Sequence, residues 1–177
     1  MKVIREKTCC FTGHRILPKD QGLLQKRLEE TIIRLIENGV IYFYAGGALG
    51  FDMLAEETVL RLKKDYPEIK LFLALPCIHH EAKWKLVSVE QFKRIARKAD
   101  QVIYVSNSDY FSGCMQRRNR YMVDRSGICV CYLKSTSSGT GYTVKYARQR
   151  DLQVFNLYDN LLCFSPDAPQ LLNMRIS

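Results

Sequence analysis

The sequence has no apolar run of 18 residues or more, so no segment is long enough to cross a bilayer as a helix. Its opening stretch, MKVIREKTCCFTGHR, carries charges and no long apolar block before Gly13, unlike a secretory signal. These two absences place the protein in the cytoplasm as an expectation. No CxxC pair occurs, and the three histidines fall in neither HExxH nor zinc-finger spacing. No metal site is expected. The seven cysteines read as buried free thiols serving as small apolar side chains, with a redox or metal role as the minor alternative. Cys129 and Cys131 alternate in an apolar run and are expected on one side of a strand. The chain also lacks a GxGxxG fingerprint after its first strand and any glycine loop ending in GK[ST].

What is present suits one domain over 1–177, with 47% apolar and 25% charged residues. A chain of 177 residues can bury a core without metals or disulfides. Lysine and arginine number 27 against 18 acids, a net charge of +9. That balance favours anionic partners such as nucleotides, phosphates or nucleic acid. The basic residues are spread along helices, so a solvated basic surface competes with that reading.

Apolar strands are expected at 8–12, 40–45, 69–75, 101–105, 127–133 and 152–157. Helices are expected at 20–38, 50–64, 89–98, 113–126 and 142–150. In the first helix Leu24, Leu28, Thr31, Ile32 and Leu35 recur at spacings of three and four, and Asn38 and Gly39 stop it. Short continuous apolar strands alternating with helices define a three-layer α/β fold, a mainly parallel sheet with helices on both faces. Residues 161–177 form a C-terminal extension with no assigned structure. Ligands in such folds bind beyond the carboxyl ends of the strands.

Four loops on that edge carry unusual residues. FTGHR supplies the Thr12 hydroxyl, a close backbone approach at Gly13, and His14 and Arg15 for an anion. AGGALG places Gly46, Gly47, Ala48 and Gly50 before a helix whose first N–H groups and positive dipole end favour anions. Asp52 lies in that helix's first turn, where the dipole stabilises a carboxylate with or without a ligand. On a helical wheel for 111–126, Arg118 and Asn119 share the face of Met115, Met122, Val123 and Ser126. Arg117, Arg120, Tyr121 and Asp124 point away. Polar groups on an apolar face need a partner, either a ligand or a buried salt bridge. The last loop, SSGTGY, offers Ser137, Ser138, Gly139 and Thr140 at another helix start.

The stretches FTGHR, GGALGFDMLAEE, LALP, MQRRNRYMVD and SSGTGYTVKYA resemble the YpsA-like family of the SLOG superfamily, which includes DprA and the Lonely Guy (LOG) proteins. They span about residues 9 to 147. The resemblance implies a Rossmann-like sheet that binds a nucleotide or nucleotide derivative, and a role linked to cell division in some Gram-positive bacteria. It adds Pro76 and Thr143 to the ligand-binding set. LOG enzymes release a base from a nucleoside monophosphate with an arginine and the glutamate of a PGGxGTxxE loop. Arg118 matches that arginine, and Gly139 and Thr140 match the GT pair. Thr143 stands where the glutamate would be, and Thr136 to Ser138 replace the proline and first glycine. If this protein is an enzyme, the resemblance leaves Asp52 and Arg118 as the catalytic pair.

Three functions follow. The first is a sensor that holds NAD, ADP-ribose or a nucleoside monophosphate, needs no other cofactor, and alters a surface read by a protein partner. The second is a nucleoside-monophosphate N-glycosidase. The third, ranked last, is single-stranded nucleic-acid binding. Related Rossmann-like proteins often pair, so a homodimer is also expected from the resemblance.

Overall fold

A computed structural model describes residues 4–162. Six strands, β1 (Thr8–Gly13), β2 (Tyr42–Ala45), β3 (Lys70–Leu75), β4 (Gln101–Tyr104), β5 (Ile128–Tyr132) and β6 (Gln153–Asn156), form one sheet in the order β4-β3-β2-β1-β5-β6. Every neighbouring pair is parallel. The helices are α1 (Gly22–Glu37), α2 (Phe51–Leu62), α3 (Leu86–Lys98), α4 (Cys114–Val123), α5 (Gly139–Gln149) and α6 (Leu157–Leu162). This is the expected three-layer arrangement.

The apolar alternation in each strand explains the layers. Phe11, Phe43, Leu71, Leu73 and Val130 pack with Leu24, Leu28 and Ile32 of α1, Val59 of α2 and Phe92 of α3. The intervening residues Cys10, Tyr44, Phe72, Cys129 and Cys131 pack with Met122 and Val123 of α4 and Val144 and Ala147 of α5. Cys129 and Cys131 thus share a side. Both faces of the four central strands, β3, β2, β1 and β5, are covered, which is why these strands read as continuous apolar runs; the edge strand β4 is largely exposed. No helix among the described residues is long and apolar enough to cross a membrane.

Four details differ from the sequence reading. A 3-10 turn at Arg5–Lys7 precedes β1, and α6 follows β6 because Leu157 is buried in the first core. Helix α3 begins at Leu86, three residues early, and its first residues Leu86 and Val87 are exposed. Helix α5 begins at Gly139 because the Ser138 side chain caps it, accepting from the Gly141 N–H at 3.0 Å. The glycines of SSGTGY suggest a loop by propensity, and the cap overrides that preference. Residues 161 and 162 close α6, and the remainder of the 161–177 extension lies outside the described residues.

The strand order reverses between β1 and β5. Helix α1 leaves β1 toward one face, and α5 leaves β5 toward the other. The crevice opened there lies between the loops carrying His14 and Ser138.

Candidate functional site

The Gly46–Gly47 dipeptide follows β2, and side chains from three elements hold all four of its backbone polar groups. Asp52 accepts from the Gly46 N–H at 3.1 Å, and Glu56 accepts from the Gly47 N–H at 2.9 Å. Asp52 and Glu56 are four residues apart on α2, so one helix face presents both carboxylates to the loop. Arg118 of α4 donates through Nη1 to the Gly46 carbonyl. His80, in the segment after β3, lies 2.9 Å through Nε2 from the Gly47 carbonyl. A carbonyl only accepts, so Nε2 carries the proton.

Glycine is required here on two counts. A Cβ on Gly46 would overlap the Arg118 guanidinium and the Asp52 carboxylate. Gly47 has φ +60, a left-handed conformation that other residues rarely adopt. In the sequence, Gly46 and Gly47 count among the candidate ligand-binding residues, and the free N–H groups belong to the helix that follows them. In the structure α2 turns its own carboxylates onto both of these glycine N–H groups.

Burial sets the charges. Desolvation pushes Asp52 up to about 6, opposed by Arg118 and by the Gly46 and Ala48 N–H groups. Desolvation and the neighbouring Asp52 push Glu56 up to about 8. At neutral pH, Glu56 therefore holds a proton, while Asp52 is mainly ionised and lies 3.7 Å from Arg118 Nη1. Burial lowers Arg118, and Asp52 and Glu56 raise it. Arg118 is 5% exposed and Asp52 also 5%, so the pair is screened from water. Three buried atoms around the dipeptide have no hydrogen-bond partner: Glu56 Oε2, Arg118 Nε and His80 Nδ1. His80 Nδ1 is 3.2 Å from Glu81 Oε2, without the alignment of a hydrogen bond.

The other expected residues divide into two groups. Asn119 donates to the Thr143 hydroxyl at 2.7 Å, and Thr143 donates to the Gly139 carbonyl at 2.9 Å. The Asn119–Thr143 bond ties α4 to α5, Ser138 caps α5, and Thr140 is buried in its first turn. His14 links the groups, its Nε2 accepting from the Lys134 N–H at 2.9 Å. Burial, and then Lys134, lower the His14 pKa. Thr12, at the end of β1, and Pro76, after β3, are both buried. Gly13 packs against Phe51, and Gly50, the residue before α2, against the Arg15 backbone.

A cavity of about 750 Å³ opens at the carboxyl edge, lined by Arg15, Leu49, His80, Trp84, Tyr110 and Met115 among others. Arg118 Nη2 reaches Met115 Sδ at 3.8 Å, so the cavity wall touches the dipeptide cluster at Met115 and at His80. Ser138 and Gly139 line a separate trough between α4 and α5. The four loops therefore share an edge, and they do not share one cavity. The sequence reading did not assign Glu56, His80 or Trp84 to the site. The i, i+4 spacing of Asp52 and Glu56 was a readable signal. For His80, only the unusual run IHHEAKW hinted at a role. Among the described residues, no cluster of three His, Cys, Asp or Glu side chains could hold a metal.

The model named YpsA and described as the YspA SLOG family matches residues 18–160. The chain belongs to this SLOG family. A UPF0398 protein of Brevibacillus brevis is 31% identical over 152 residues, covering 80% of each chain. A UPF0398 protein of Halalkalibacterium halodurans is 31% identical over 132 residues, 73% of this chain and 70% of its own. The SPbeta prophage-derived protein YoqJ of Bacillus subtilis is 33% identical over 138 residues, 71% of this chain and 81% of its own. Among solved structures, DNA processing protein A from Helicobacter pylori, described with a single-stranded DNA binding mode, aligns with TM-score 0.61 at 17% identity. That alignment covers 88% of this chain and 71% of the other. The Streptococcus pneumoniae protein gives TM-score 0.62 at 17% identity, with 84% of this chain on 49% of that one. At these identities, the structural likeness establishes the fold alone.

Proposed function

We propose that this SLOG-family protein binds a nucleotide-derived ligand in the cavity beyond β1 to β4 and acts as a sensor. The observation that carries this reading is the contact between that cavity and the Gly46–Gly47 cluster. Trp84 and Tyr110 offer ring faces for a base, and Arg15, Lys83 and Lys85 offer charge for phosphate. A ligand there presses on His80 and Met115, which touch Gly47 and Arg118. Helix α4, and any protein surface it supports, is thereby tied to occupancy.

Burial favours sensing over base release. Asp52 and Arg118, the two residues an N-glycosidase would use, are engaged with each other and with Gly46. Thr143, where LOG proteins have glutamate, is spent on Asn119 and Gly139.

Thermal denaturation with ADP-ribose, NAD and AMP tests the reading. At a hundredfold excess over Kd, one of them raises Tm by about 5–10 °C. Arg15 is exposed, so Arg15→Ala folds normally and abolishes the rise. The proposal fails if none of the three shifts Tm, or if the shift survives in Arg15→Ala. Base released from AMP by the wild type but not by Asp52→Asn would replace sensing with hydrolysis.

A further inference from the structure

The trough between α4 and α5 has a volume of about 980 Å³ and is lined by Arg117, Arg120, Arg125, Tyr121, Tyr142 and Asp124, among others. Arg117, Arg120 and Asp124 fall at i, i+3 and i+7, one stripe on the outer side of α4. Arg125 continues it in the following turn. From Arg117 to Arg125 the stripe extends roughly 12 Å along the helix direction. All three arginines are exposed.

Two of the three guanidinium groups are held in place by tyrosines. Arg120 donates through Nε to the Tyr142 hydroxyl at 2.6 Å, and its Cζ lies 5.6 and 5.5 Å from the Tyr142 and Tyr146 ring centres. Arg125 lies 3.6 Å over the Tyr121 ring and donates to the Tyr121 carbonyl at 3.2 Å. Arg117 makes no side-chain hydrogen bond or ion pair among the described residues. The acid in the trough is already compensated: Asp124 pairs with Arg150 at 3.1 Å and accepts from the Tyr146 hydroxyl at 2.9 Å. Three cations therefore face the trough with little opposing charge. Fixing a guanidinium beforehand reduces the entropy lost when it grips an anion. At the carboxyl edge the trough reaches Gly113 and Gly139, where α4 and α5 begin.

The second basic groove of the molecule is built differently. Between α2 and α3, Arg61, Lys63, Lys64, Arg94 and Lys98 line about 440 Å³ without a single aromatic ring. Arg61 is paired with Glu29 there, and Lys63 with Asp100. That groove has positive charge without ring-fixed guanidinium groups.

We infer that the α4–α5 trough is a second ligand site, distinct from the cavity beside His80, and that it takes a chain of consecutive phosphates. Single-stranded nucleic acid supplies such a chain, and so does a free oligophosphate. The ring faces and open ends suit a strand, because aromatic and guanidinium planes accept any base.

Fluorescence anisotropy with labelled oligothymidylate, and competition by inorganic tripolyphosphate, test the site. Three phosphate contacts give a plot of log K against log salt a slope of about −2. Arg117→Ala and Arg120→Ala each weaken binding roughly tenfold and reduce the magnitude of that slope by about 0.7. Tyr142→Phe, which removes the hydroxyl that aims Arg120, weakens binding and leaves the slope unchanged. Lys64→Ala and Lys98→Ala in the α2–α3 groove keep full affinity. If tripolyphosphate binds and the strand does not, and the same arginine variants lose it, the source is a free oligophosphate. No binding of either probe at low salt overturns the inference. Equal losses in the Lys64 and Lys98 variants overturn it too, because net charge alone would then explain binding. Arg117→Ala leaves any thermal shift by ADP-ribose intact, so this site and the His80 cavity succeed or fail separately.

Discussion

Arg117 and Arg118 are adjacent in sequence and face opposite environments. Arg118 turns into the protein, is 5% exposed, and is occupied by Gly46, Asp52 and Met115. Arg117 turns outward into the trough. A helix rotates about 100° per residue, so one step along α4 separates a cation that organises a loop from one that remains available to solvent anions. A basic residue in a family motif is therefore not automatically a ligand contact. Its partners decide whether it binds ligand or holds the scaffold that does.

The contrast can be broken most strongly at Arg118. Arg118→Ala leaves Asp52 buried without its cation and releases the Gly46 carbonyl. A loss of about 3–5 kcal/mol in urea unfolding at pH 7.5 is expected; a loss below about 1 kcal/mol would mean the cluster does not organise the edge. Glu56 comes next. Its folded pKa of about 8 lies above its ordinary value of 4.5. The folded state therefore holds this proton more tightly than the unfolded chain does. The stability that proton provides is complete below the ordinary value and is lost as pH rises toward 8. Glu56→Gln keeps the neutral form, flattens the stability profile between about pH 4.5 and 8, and gains on the order of 2 kcal/mol at pH 8. An unchanged profile would show that Glu56 ionises in place at little cost. Arg117→Ala gives the smallest effect, within about 0.5 kcal/mol of wild type in the same unfolding measurement. A larger loss would make Arg117 part of the scaffold too and erase the contrast.

Much of the fold was readable because it rests on local pattern. Strands such as VIYFYA and GICVCYL are apolar on both sides, and the periodicity of α1 marks its buried face. The wheel for α4 sorted Arg118 and Asn119 inward and Arg117 and Arg120 outward, as the structure has them. Pairing was harder to read. Glycine loops look alike whether their N–H groups meet a ligand or a carboxylate of the following helix. Only the packing of α2 on β2 assigns Gly46 and Gly47 to Asp52 and Glu56. His80 reaches Gly47 across 33 residues, and Arg118 reaches Gly46 across 72, separations for which local periodicity has no signal. The start of α5 was missed because a side-chain cap outweighed glycine propensity. Leu157, which seats α6, acts through contacts with α1 and β5 that no local window contains.

The sheet order has a consequence for how the chain is made. Strand β1 leaves the ribosome first, yet it lies between β2 and β5 in the finished sheet. Its β2 side is satisfied by residue 44, while its other side waits for Ile128 to Tyr132. Until β5 has been made, Cys9 to Gly13 therefore present an edge of unpaired backbone N–H and C=O groups, and the β1–β5 ladder is the seam at which β5 and β6 close onto the earlier strands.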